Sequence, residues 1–252
     1  MARILAFANQ KGGVGKTTSV VSVGAALAEF GLRVVVVDLD AQACATFSLG
    51  IDPEDVRIGA REILIDGTAV GRAIIRTSDG VDLVPATIRL ADADSALSST
   101  KGREFAVRQA IEPLRHSYDW VLLDCAPSLG IVTVGALIAA QSVAIPLQCE
   151  TLSHRGVGQL LQTIDDVRAY ANPALTIAGI IPTQFDGRTT HARAVLADLP
   201  GTYGVTVLPA IHRSIRFAEA PAAGRTVLST APTSIGARDY RELARVLVER
   251  LA

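Results

Sequence analysis

A glycine-rich segment near the start of the chain has the composition of a phosphate-binding loop. Residues 9–18 read NQKGGVGKTT and lie between a short apolar run and a stretch with helical periodicity. Glycines let successive backbone N–H groups point into one cavity, and the amino-terminal end of the following helix adds a positive dipole. In this pattern Lys16 neutralises the β- and γ-phosphates and the Thr17 hydroxyl coordinates Mg²⁺. The predicted nucleotide-binding residues are Lys11, Gly12, Gly13, Val14, Gly15, Lys16, Thr17 and Thr18.

The loop departs from the common phosphate-loop pattern at its entrance. The pattern G-x-x-x-x-G-K-S/T has glycine where this chain has Gln10, and a second lysine, Lys11, follows. A loop curled around its own nucleotide directs Lys11 away from the centre of the cradle. We therefore expect Lys11 to reach the phosphates of a facing subunit.

Two further apolar runs end in aspartates that suit magnesium and water chemistry. Asp38 and Asp40 are two residues apart, so they point the same way in extended backbone. One carboxylate can contribute to the magnesium shell while the other orients an attacking water, and the candidate magnesium ligands are Thr17, Asp40 and Asp124. Asp124 ends the run 120–123 in a Walker B arrangement, and we expect it to reach Mg²⁺ through water. A purely structural role in a turn or cap is the alternative for Asp38 and Asp40.

These residues need a parallel sheet to bring them together, and the rest of the pattern predicts one. Short continuous apolar runs, typical of buried parallel strands, alternate with helix-like stretches. We expect a doubly wound α/β domain over residues 1–252, with a mostly parallel sheet, helices on both faces and ligands at the carboxyl ends of the strands. Residues 86–100 are expected to form a surface segment. The predicted strands are Ile4–Ala8, Val34–Val37, Val81–Val84, Trp120–Leu123, Val143–Leu147, Ile177–Ile181 and Thr206–Leu208, and the predicted helices are Thr17–Glu29, Ile58–Ile75, Arg103–Arg115, Thr133–Ala140, Gly156–Tyr170, Ala192–Leu199 and Ser234–Leu251.

The composition excludes several classes of protein. The chain has 252 residues, of which 49% are hydrophobic, and its formal net charge is −1, so it is not disordered. Cys44, Cys125 and Cys149 are too widely spaced for a disulfide scaffold, a zinc site or an iron–sulfur cluster. No apolar run reaches the roughly 18 residues of a membrane span, and the first ten residues lack the apolar core of a signal peptide. We expect a cytoplasmic globular protein.

Positive charge is concentrated at the carboxyl-terminal end. Residues 188–252 carry nine arginines against five acidic residues. This balance suits either a solvated helical surface or a surface that binds an anionic partner.

Four segments resemble the ParA/MinD ATPases, and the likeness covers essentially the whole chain. KGGVGKTT at residues 11–18 resembles the deviant Walker A motif of that family. IPLQCE (145–150), TQFDGRT (183–189) and IHRSIRFAEAP (211–221) are similar to the family's IPVQCE, T-x-Y/F-D-x-R-T and IPRNVRLSEAP, most closely in the chromosomal Soj-type ParA branch. Ala41, Ala126 and His212 stand where that family usually has proline.

The resemblance implies an ATP- and Mg²⁺-dependent ATPase that partitions DNA. It implies that Lys11 acts across an ATP-sandwich homodimer and that Asp40 is the catalytic carboxylate, alongside Lys11 and Lys16. It further implies a nucleoid-associated protein whose hydrolysis is triggered by a ParB-like activator and which binds DNA without sequence preference. The residues it assigns to adenine contacts are Thr183, Gln184 and Pro209, and those it assigns to DNA are Arg188, Arg216 and Arg213.

Two other functions remain open. A MinD-like ATPase ends in a basic helix that lies on lipid, whereas the stripe of Tyr240, Leu243, Leu247 and Leu251 is expected to pack on the domain. We therefore expect no stable membrane anchor. A nucleotide-gated adaptor that positions a cargo other than DNA is the second alternative. For each candidate DNA-binding arginine, an ordinary surface ion pair is the competing interpretation.

Overall fold

A single seven-stranded sheet organises the chain. The computed structural model describes residues 1–149 and 154–251. The strand order is β3-β4-β2-β5-β1-β6-β7, and every neighbouring pair is parallel except β3 and β4. The strands are β1 (Arg3–Phe7), β2 (Val34–Leu39), β3 (Ile75–Arg76), β4 (Asp82–Val84), β5 (Trp120–Cys125), β6 (Ser142–Gln148) and β7 (Thr176–Thr183).

Helices cover both faces of this sheet, which confirms the predicted doubly wound α/β fold. The strands β1, β2 and β5 are buried almost throughout because side chains of both pleat directions meet a helical layer. Helices α1 and α12 pack on one face, and α5, α7 and α8 on the other. The helices are α1 (Lys16–Glu29), α2 (Cys44–Ser48), α3 (Ala60–Leu64), α4 (Ala93–Ser98), α5 (Ala106–Ile111), α6 (Leu114–Ser117), α7 (Ile131–Ala139), α8 (His154–Tyr170), α9 (Thr190–Tyr203), α10 (Arg216–Ala222), α11 (Val227–Thr230) and α12 (Ile235–Arg250).

The strand order brings the predicted chemical residues to one edge of the sheet. Strand β5 lies between β1 and β2, and the register pairs Asp124 with Phe7 on one side and with Asp38 on the other. The loop after β1, the end of β2 and the end of β5 are therefore adjacent at the carboxyl end of the sheet, where open α/β folds bind ligands.

Helix α12 packs as its apolar stripe predicts. Tyr240, Leu243 and Leu247 are fully buried against the layer that contains α1, and the hydroxyl groups of Tyr240 and Ser19 lie 3.2 Å apart. Within residues 1–149 and 154–251, no helix has both the length and the apolar content to cross a membrane.

Several expected elements differ from those observed. The predicted strand at Thr206–Leu208 is wrong, because only an isolated bridge joins Val207 to Ile180. The predicted helix at 58–75 is also wrong: the segment divides into α3, a 3₁₀ turn at Val70–Arg72 and the start of β3. The predicted helix at Arg103–Arg115 is broken into a 3₁₀ turn, α5 and α6, since Pro113 interrupts the hydrogen bonding.

The segment 86–100 is also more ordered than its composition predicts. It contains a 3₁₀ helix at Ile88–Asp92 followed by α4, and Leu90 and Leu97 are buried in the core. Two apolar side chains seven residues apart in an Ala- and Ser-rich stretch were too weak a pattern to distinguish from a surface loop.

Two glycines hold α2 against the turn between α10 and α11. Gly50 and Gly224 both have left-handed backbone, with φ of 84° and 61°. A β-carbon built on Gly50 would lie 2.7 Å from the carbonyl oxygen of Gly224, so the two backbones are in contact. Because α2 borders the cleft described below, this contact fixes one of its walls.

Replacing Gly50 with alanine should destabilise the fold by about 2–4 kcal/mol, because the substitution adds a backbone clash to the strain of left-handed alanine. Gly67→Ala is the matched control, since Gly67 has φ of 66° and nothing within 4 Å of its built β-carbon. The control should lose only about 1 kcal/mol. Urea unfolding monitored by circular dichroism measures both; equal losses would show that the Gly50–Gly224 contact is not tight.

Candidate functional site

The phosphate-binding loop is anchored to the sheet by a side chain that the sequence pattern does not single out. The Asn9 amide Nδ2 donates a 2.7 Å hydrogen bond to the carbonyl oxygen of Pro146 in β6, and the Asn9 Oδ1 accepts one of 3.0 Å from the backbone N–H of Lys11. Helix α1 begins at Lys16, and no side chain among the described residues caps it. Its first N–H groups therefore face the loop as potential anion donors.

Lys16 is held inside this loop. Only 7% of its surface is exposed, and its Nζ donates a 3.1 Å hydrogen bond to the carbonyl oxygen of Lys11. Burial lowers the pKa of Lys16, while the nearby carboxylates of Asp124 and Asp40 raise it. A phosphate group entering the loop would replace the carbonyl with a charged partner.

Asp124 and Thr17 form a pair at the floor of the site. The Thr17 hydroxyl donates a 2.7 Å hydrogen bond to the Asp124 Oδ2. Asp124 is completely buried, and its Oδ1 has no hydrogen-bond partner among the described residues. Burial, followed by repulsion from Asp38, raises the pKa of Asp124 well above its usual range. An unpaired buried carboxylate oxygen is costly, and its presence beside a threonine hydroxyl suits a cation.

This donor set fits Mg²⁺. The part of the chain that the structure describes contains no group of three or more His, Cys, Asp or Glu side chains that could enclose a metal on its own. Mg²⁺ in phosphoryl-transfer sites instead uses one or two protein oxygens and completes its shell with phosphates and water. Thr17 and Asp124 provide such oxygens next to the phosphate loop.

Asp38 and Asp40 have different environments, which separates their roles. Asp38 is completely buried; its Oδ2 accepts hydrogen bonds from the Thr46 N–H (2.9 Å) and hydroxyl (2.7 Å), and its Oδ1 accepts one from the Asp40 N–H (3.2 Å). These bonds tie β2 to α2. Asp40 is partly exposed and borders the cleft in front of the loop.

That cleft has a volume of about 520 Å³, which is in the range of small-ligand sites. The phosphate loop and Asp40 form one wall. Other walls come from residues that the sequence pattern did not identify: Cys44 and Phe47 of α2, Pro127 after β5 and Pro221 of α10. Their types carry no nucleotide-binding signal, so only the fold could have placed them there.

The predicted adenine contacts are placed unequally. Gln184 borders the cleft, and its Nε2 donates a 3.0 Å hydrogen bond to the carbonyl oxygen of Gly13. Thr183 is only 2% exposed, and its hydroxyl points inward and donates a 2.8 Å hydrogen bond to the carbonyl oxygen of Val14. Pro209 is half-buried and does not line the cleft. The loop after β7 therefore supports the phosphate loop, and only Gln184 is positioned to touch a ligand in the cleft.

The two arginine-bearing segments lie side by side. The N–H of Phe185 donates a 2.9 Å hydrogen bond to the Ile211 carbonyl, and the N–H of Arg213 donates a 3.0 Å bond to the Phe185 carbonyl. The segment that carries Arg188 is thereby joined to the segment that carries Arg213 and Arg216.

Both of the principal candidate DNA-binding arginines are engaged with carboxylates. Arg188 makes two hydrogen bonds of 2.9 and 2.8 Å to Asp186, and Arg216 makes one of 2.7 Å to Glu219. The surface ion pair, which was the competing interpretation of each residue, is thus present.

Comparisons with known proteins give the family. A family profile described as an AAA domain matches residues 2–177. The chromosome-partitioning ATPase Soj of Thermus thermophilus is 43% identical over 250 residues, covering 99% of this chain and 96% of that protein. The sporulation initiation inhibitor protein Soj of Bacillus subtilis is 41% identical over 247 residues, covering 97% and 98%. This chain belongs to the ParA/Soj family.

A solved structure with a different name is similar over the same length. Cobyrinic acid a,c-diamide synthase from Mycobacterium smegmatis, with bound ADP and magnesium, is 46% identical and superposes with a TM-score of 0.90, covering 100% of this chain and 96% of that one.

Two of the three missing ParA-family prolines have a local explanation. Ala41 lies in a turn closed by the Ala43 N–H, which donates to the Asp40 carbonyl (2.9 Å), and by the Gln42 N–H, which donates to the Asp40 Oδ1 (3.0 Å). These hydrogen bonds fix the turn without a proline ring. His212 has a backbone N–H, absent in proline, that donates a 2.9 Å bond to Asp239 of α12. The replacement at Ala126 is not explained by any contact.

The buried carboxylate of Asp38 should make nucleotide-free protein less stable as the pH rises. Burial raises the pKa of Asp38 to about 6 from the ordinary 3.8. The folded state therefore holds this proton more tightly than the unfolded state, and the stability that the proton contributes falls as the pH rises from about 4 to above 6; about 1 kcal/mol of the loss lies between pH 5 and 7. Urea unfolding at both values, with EDTA present, measures the change. In Asp38→Asn the loss of unfolding free energy between pH 5 and 7 should be smaller by about 1 kcal/mol. An unchanged pH dependence in the variant would assign the effect to other groups.

Proposed function

We propose that this ParA/Soj-family chain is an ATPase that uses ATP and Mg²⁺ to switch between a form that binds DNA and one that does not. The observation that carries the proposal is the convergence of Lys16, Thr17 and Asp40 on one cleft, with Asp124 buried behind Thr17 and the phosphate loop hydrogen-bonded to an arginine-bearing segment. Lys16, Thr17, Asp124 and Asp40 are the groups needed for phosphoryl transfer. The hydrogen bond between the phosphate loop and the arginine-bearing segment offers a route from the nucleotide to DNA.

Each residue at the cleft has a distinct part in binding and hydrolysis. The N–H groups at the start of α1 and the Lys16 ammonium bind the β- and γ-phosphates, which releases Lys16 from the Lys11 carbonyl. Thr17 and Asp124 would hold Mg²⁺, which would neutralise charge on the phosphate oxygens. Asp124 must be ionised for this role. Ionisation is costly because the carboxylate is fully buried, and the cation would offset that cost.

Asp40 orients the attacking water. Of the two carboxylates at the end of β2, Asp40 borders the cleft, whereas Asp38 is buried and accepts hydrogen bonds from Thr46 and from the Asp40 N–H. A carboxylate at this place accepts a hydrogen bond from water and directs its oxygen towards the γ-phosphate, as water-positioning residues do in other phosphoryl-transfer enzymes.

The ATP-bound form is a homodimer in which Lys11 of each subunit contacts the nucleotide of the other. Lys11 lies at the entrance of the loop, where its backbone carbonyl accepts a hydrogen bond from Lys16, so a shift of Lys16 onto phosphate removes that one bond from Lys11. Sandwiching two nucleotides between subunits would complete both sites at once.

DNA binding depends on the nucleotide through the loop after β7. Thr183 and Gln184 donate to the carbonyls of Val14 and Gly13, and the same loop continues to Arg188. Arginine binds phosphate with forked donors and a permanent charge, so Arg188, Arg213 and Arg216 suit sequence-independent contacts with the DNA backbone. A dimer doubles these contacts, and affinity should rise steeply on dimerisation. A basic ParB-like activator would trigger ATP hydrolysis and so release the dimer from the DNA of the nucleoid.

The experiment that tests the proposal is duplex DNA binding with ATP, with ADP and without nucleotide, at about 0.05 and 0.2 M salt. We expect binding that requires ATP, ignores DNA sequence and weakens with salt, and we expect Lys16→Ala to lose it together with ATP binding. Absence of DNA binding in all three states would contradict the proposal. ATP-dependent binding to anionic liposomes would then favour the membrane function, and a DNA- and lipid-independent ATP switch would favour a protein cargo.

ATP-dependent amide synthesis is a second candidate, supported by the name of the 46% identical structure. It predicts ATP turnover that requires a carboxylic acid and an amine donor. Turnover that DNA and an activator stimulate, with neither of those substrates present, would exclude it.

Asp40→Ala should remove hydrolysis but preserve ATP binding. The variant loses the water-orienting carboxylate while the phosphate loop and the Thr17–Asp124 pair remain. We expect a long-lived ATP dimer that still binds DNA, detected by size-exclusion chromatography with ATP. The matched control is Asp52→Ala, an exposed aspartate outside this cleft. Wild-type turnover in Asp40→Ala would mean that another group positions the water.

Arg216→Ala should weaken DNA binding without affecting the ATP-dependent dimer. Each dimer loses two phosphate contacts, so the slope of log affinity against log salt should become shallower by roughly 2. Arg245→Ala is the control, since Arg245 forms a similar exposed ion pair with Glu242 on α12. An unchanged slope in Arg216→Ala would remove this residue from the DNA-binding surface.

A further inference from the structure

We propose that Asp186 and Glu219 set the DNA affinity of this protein, because each carboxylate competes with DNA phosphate for one arginine. The inference rests on the proposed function and adds two acidic residues to it. In the structure each acid occupies the guanidinium that would otherwise be open to a phosphate group.

The pairing at Arg188 is geometrically complete. Its Nε and Nη2 donate to the two carboxylate oxygens of Asp186 at 2.9 and 2.8 Å, and its backbone N–H donates a further 3.1 Å bond to Oδ1. The side chain of Arg188 is nevertheless 91% exposed, so DNA can approach it. The guanidinium of Arg188 holds the pKa of Asp186 at about 2, so the competing carboxylate is ionised at any physiological pH.

The pairing at Arg216 is looser but of the same kind. Nη1 of Arg216 donates a 2.7 Å bond to Glu219, three residues later on α10, and both side chains are about half exposed, at 55% and 53%. Both pairs therefore have their arginines within reach of a ligand from solvent, with a carboxylate already bound.

The energetic balance allows DNA to displace these carboxylates at a cost. Carboxylate and phosphate use the same forked donors of arginine, so one guanidinium face does not serve both fully. Exposed ion pairs contribute little, up to the equivalent of about fivefold in an equilibrium constant. The carboxylate also stays close to the incoming phosphate and repels it. Removing the acid should therefore tighten binding by a few-fold per pair, and the gain should shrink with salt because the repulsion is screened.

The two acids should act on one surface. The hydrogen bonds between Phe185 and the segment 211–213 place the two arginine-bearing segments next to each other. A single DNA duplex could then contact both arginines of a subunit, and the effects of the two acids should combine.

The test compares Asp186→Asn with Asp119→Asn in the full-length ATP-bound protein. Asparagine keeps one oxygen that accepts from Arg188, but it removes the negative charge and replaces the second acceptor oxygen with an NH₂ group, as the control substitution at Asp119 also does. Asp119 is a close match: it accepts from the Arg33 N–H and from two guanidinium nitrogens of Arg33, and its pKa is also about 2. It precedes β5 at the amino-terminal edge of the sheet, opposite the candidate site. Both variants change the net charge equally.

Glu219→Gln has its own matched control in Glu242→Gln. Glu242 pairs with Arg245 three residues away on α12, with exposures of 50% and 53%. The affinity for a short random-sequence duplex is measured by fluorescence anisotropy with a non-hydrolysed ATP analogue at about 0.1 M salt.

We expect Asp186→Asn and Glu219→Gln each to bind DNA about two- to tenfold more tightly than the wild type, and Asp119→Asn and Glu242→Gln to bind as the wild type does. Weaker or unchanged binding in both test variants, with wild-type DNA binding intact, would overturn this inference alone, because the acids would then position the arginines or be neutral. Equal gains in test and control variants would also overturn it, since net charge would explain them. Absence of DNA binding in the wild type and in all variants would overturn this inference and the proposed function together.

Discussion

The buried carboxylate of Asp124 is the constraint on which the site depends. The central strand β5 places it at the carboxyl edge of the sheet with no exposure to solvent, one oxygen bonded to Thr17 and the other without a partner among the described residues. A hydrophobic core gains nothing from such a group, and the cost of its ionisation is expressed in a pKa well above the ordinary range. The arrangement is intelligible as a site that is completed by a cation and a phosphate chain.

Hydrogen bonds from neighbouring elements hold the other parts of the site in place around Asp124. Asp38, equally buried, accepts three hydrogen bonds that tie β2 to α2, and Asp40 is the carboxylate at the end of β2 that borders the cleft. Asn9 ties the phosphate loop to β6, and Thr183 and Gln184 tie it to the loop after β7. The phosphate loop is therefore connected, by hydrogen bonds and along the chain, to Arg188 and, through Phe185, to the segment containing Arg213.

The sequence predicted the parts of this arrangement that have strong local signals. Continuous apolar runs predicted six of the seven strands, all except β3, and the residue types at the ends of β1, β2 and β5 predicted that the loop, Asp40 and Asp124 would lie at one edge of the sheet, where the structure places them. The short strand β3 and the helix α2 were missed, because two to five residues give no usable period. The inward turn of Thr183, the anchoring role of Asn9 and the carboxylate partners of Arg188 and Arg216 depend on contacts between segments or on local side-chain geometry. Residue type alone does not contain that information.

The most direct test of the role of Asp124 is the affinity for ATP measured by calorimetry with Mg²⁺ and with EDTA, in the wild type and in Asp124→Asn. Asparagine retains an oxygen for the Thr17 hydroxyl, so the variant should fold. We expect Mg²⁺ to raise the affinity of the wild type for ATP by roughly tenfold or more and the variant to lose this gain. The same Mg²⁺ dependence in both proteins would show that Asp124 does not hold the cation and would contradict the role proposed for it.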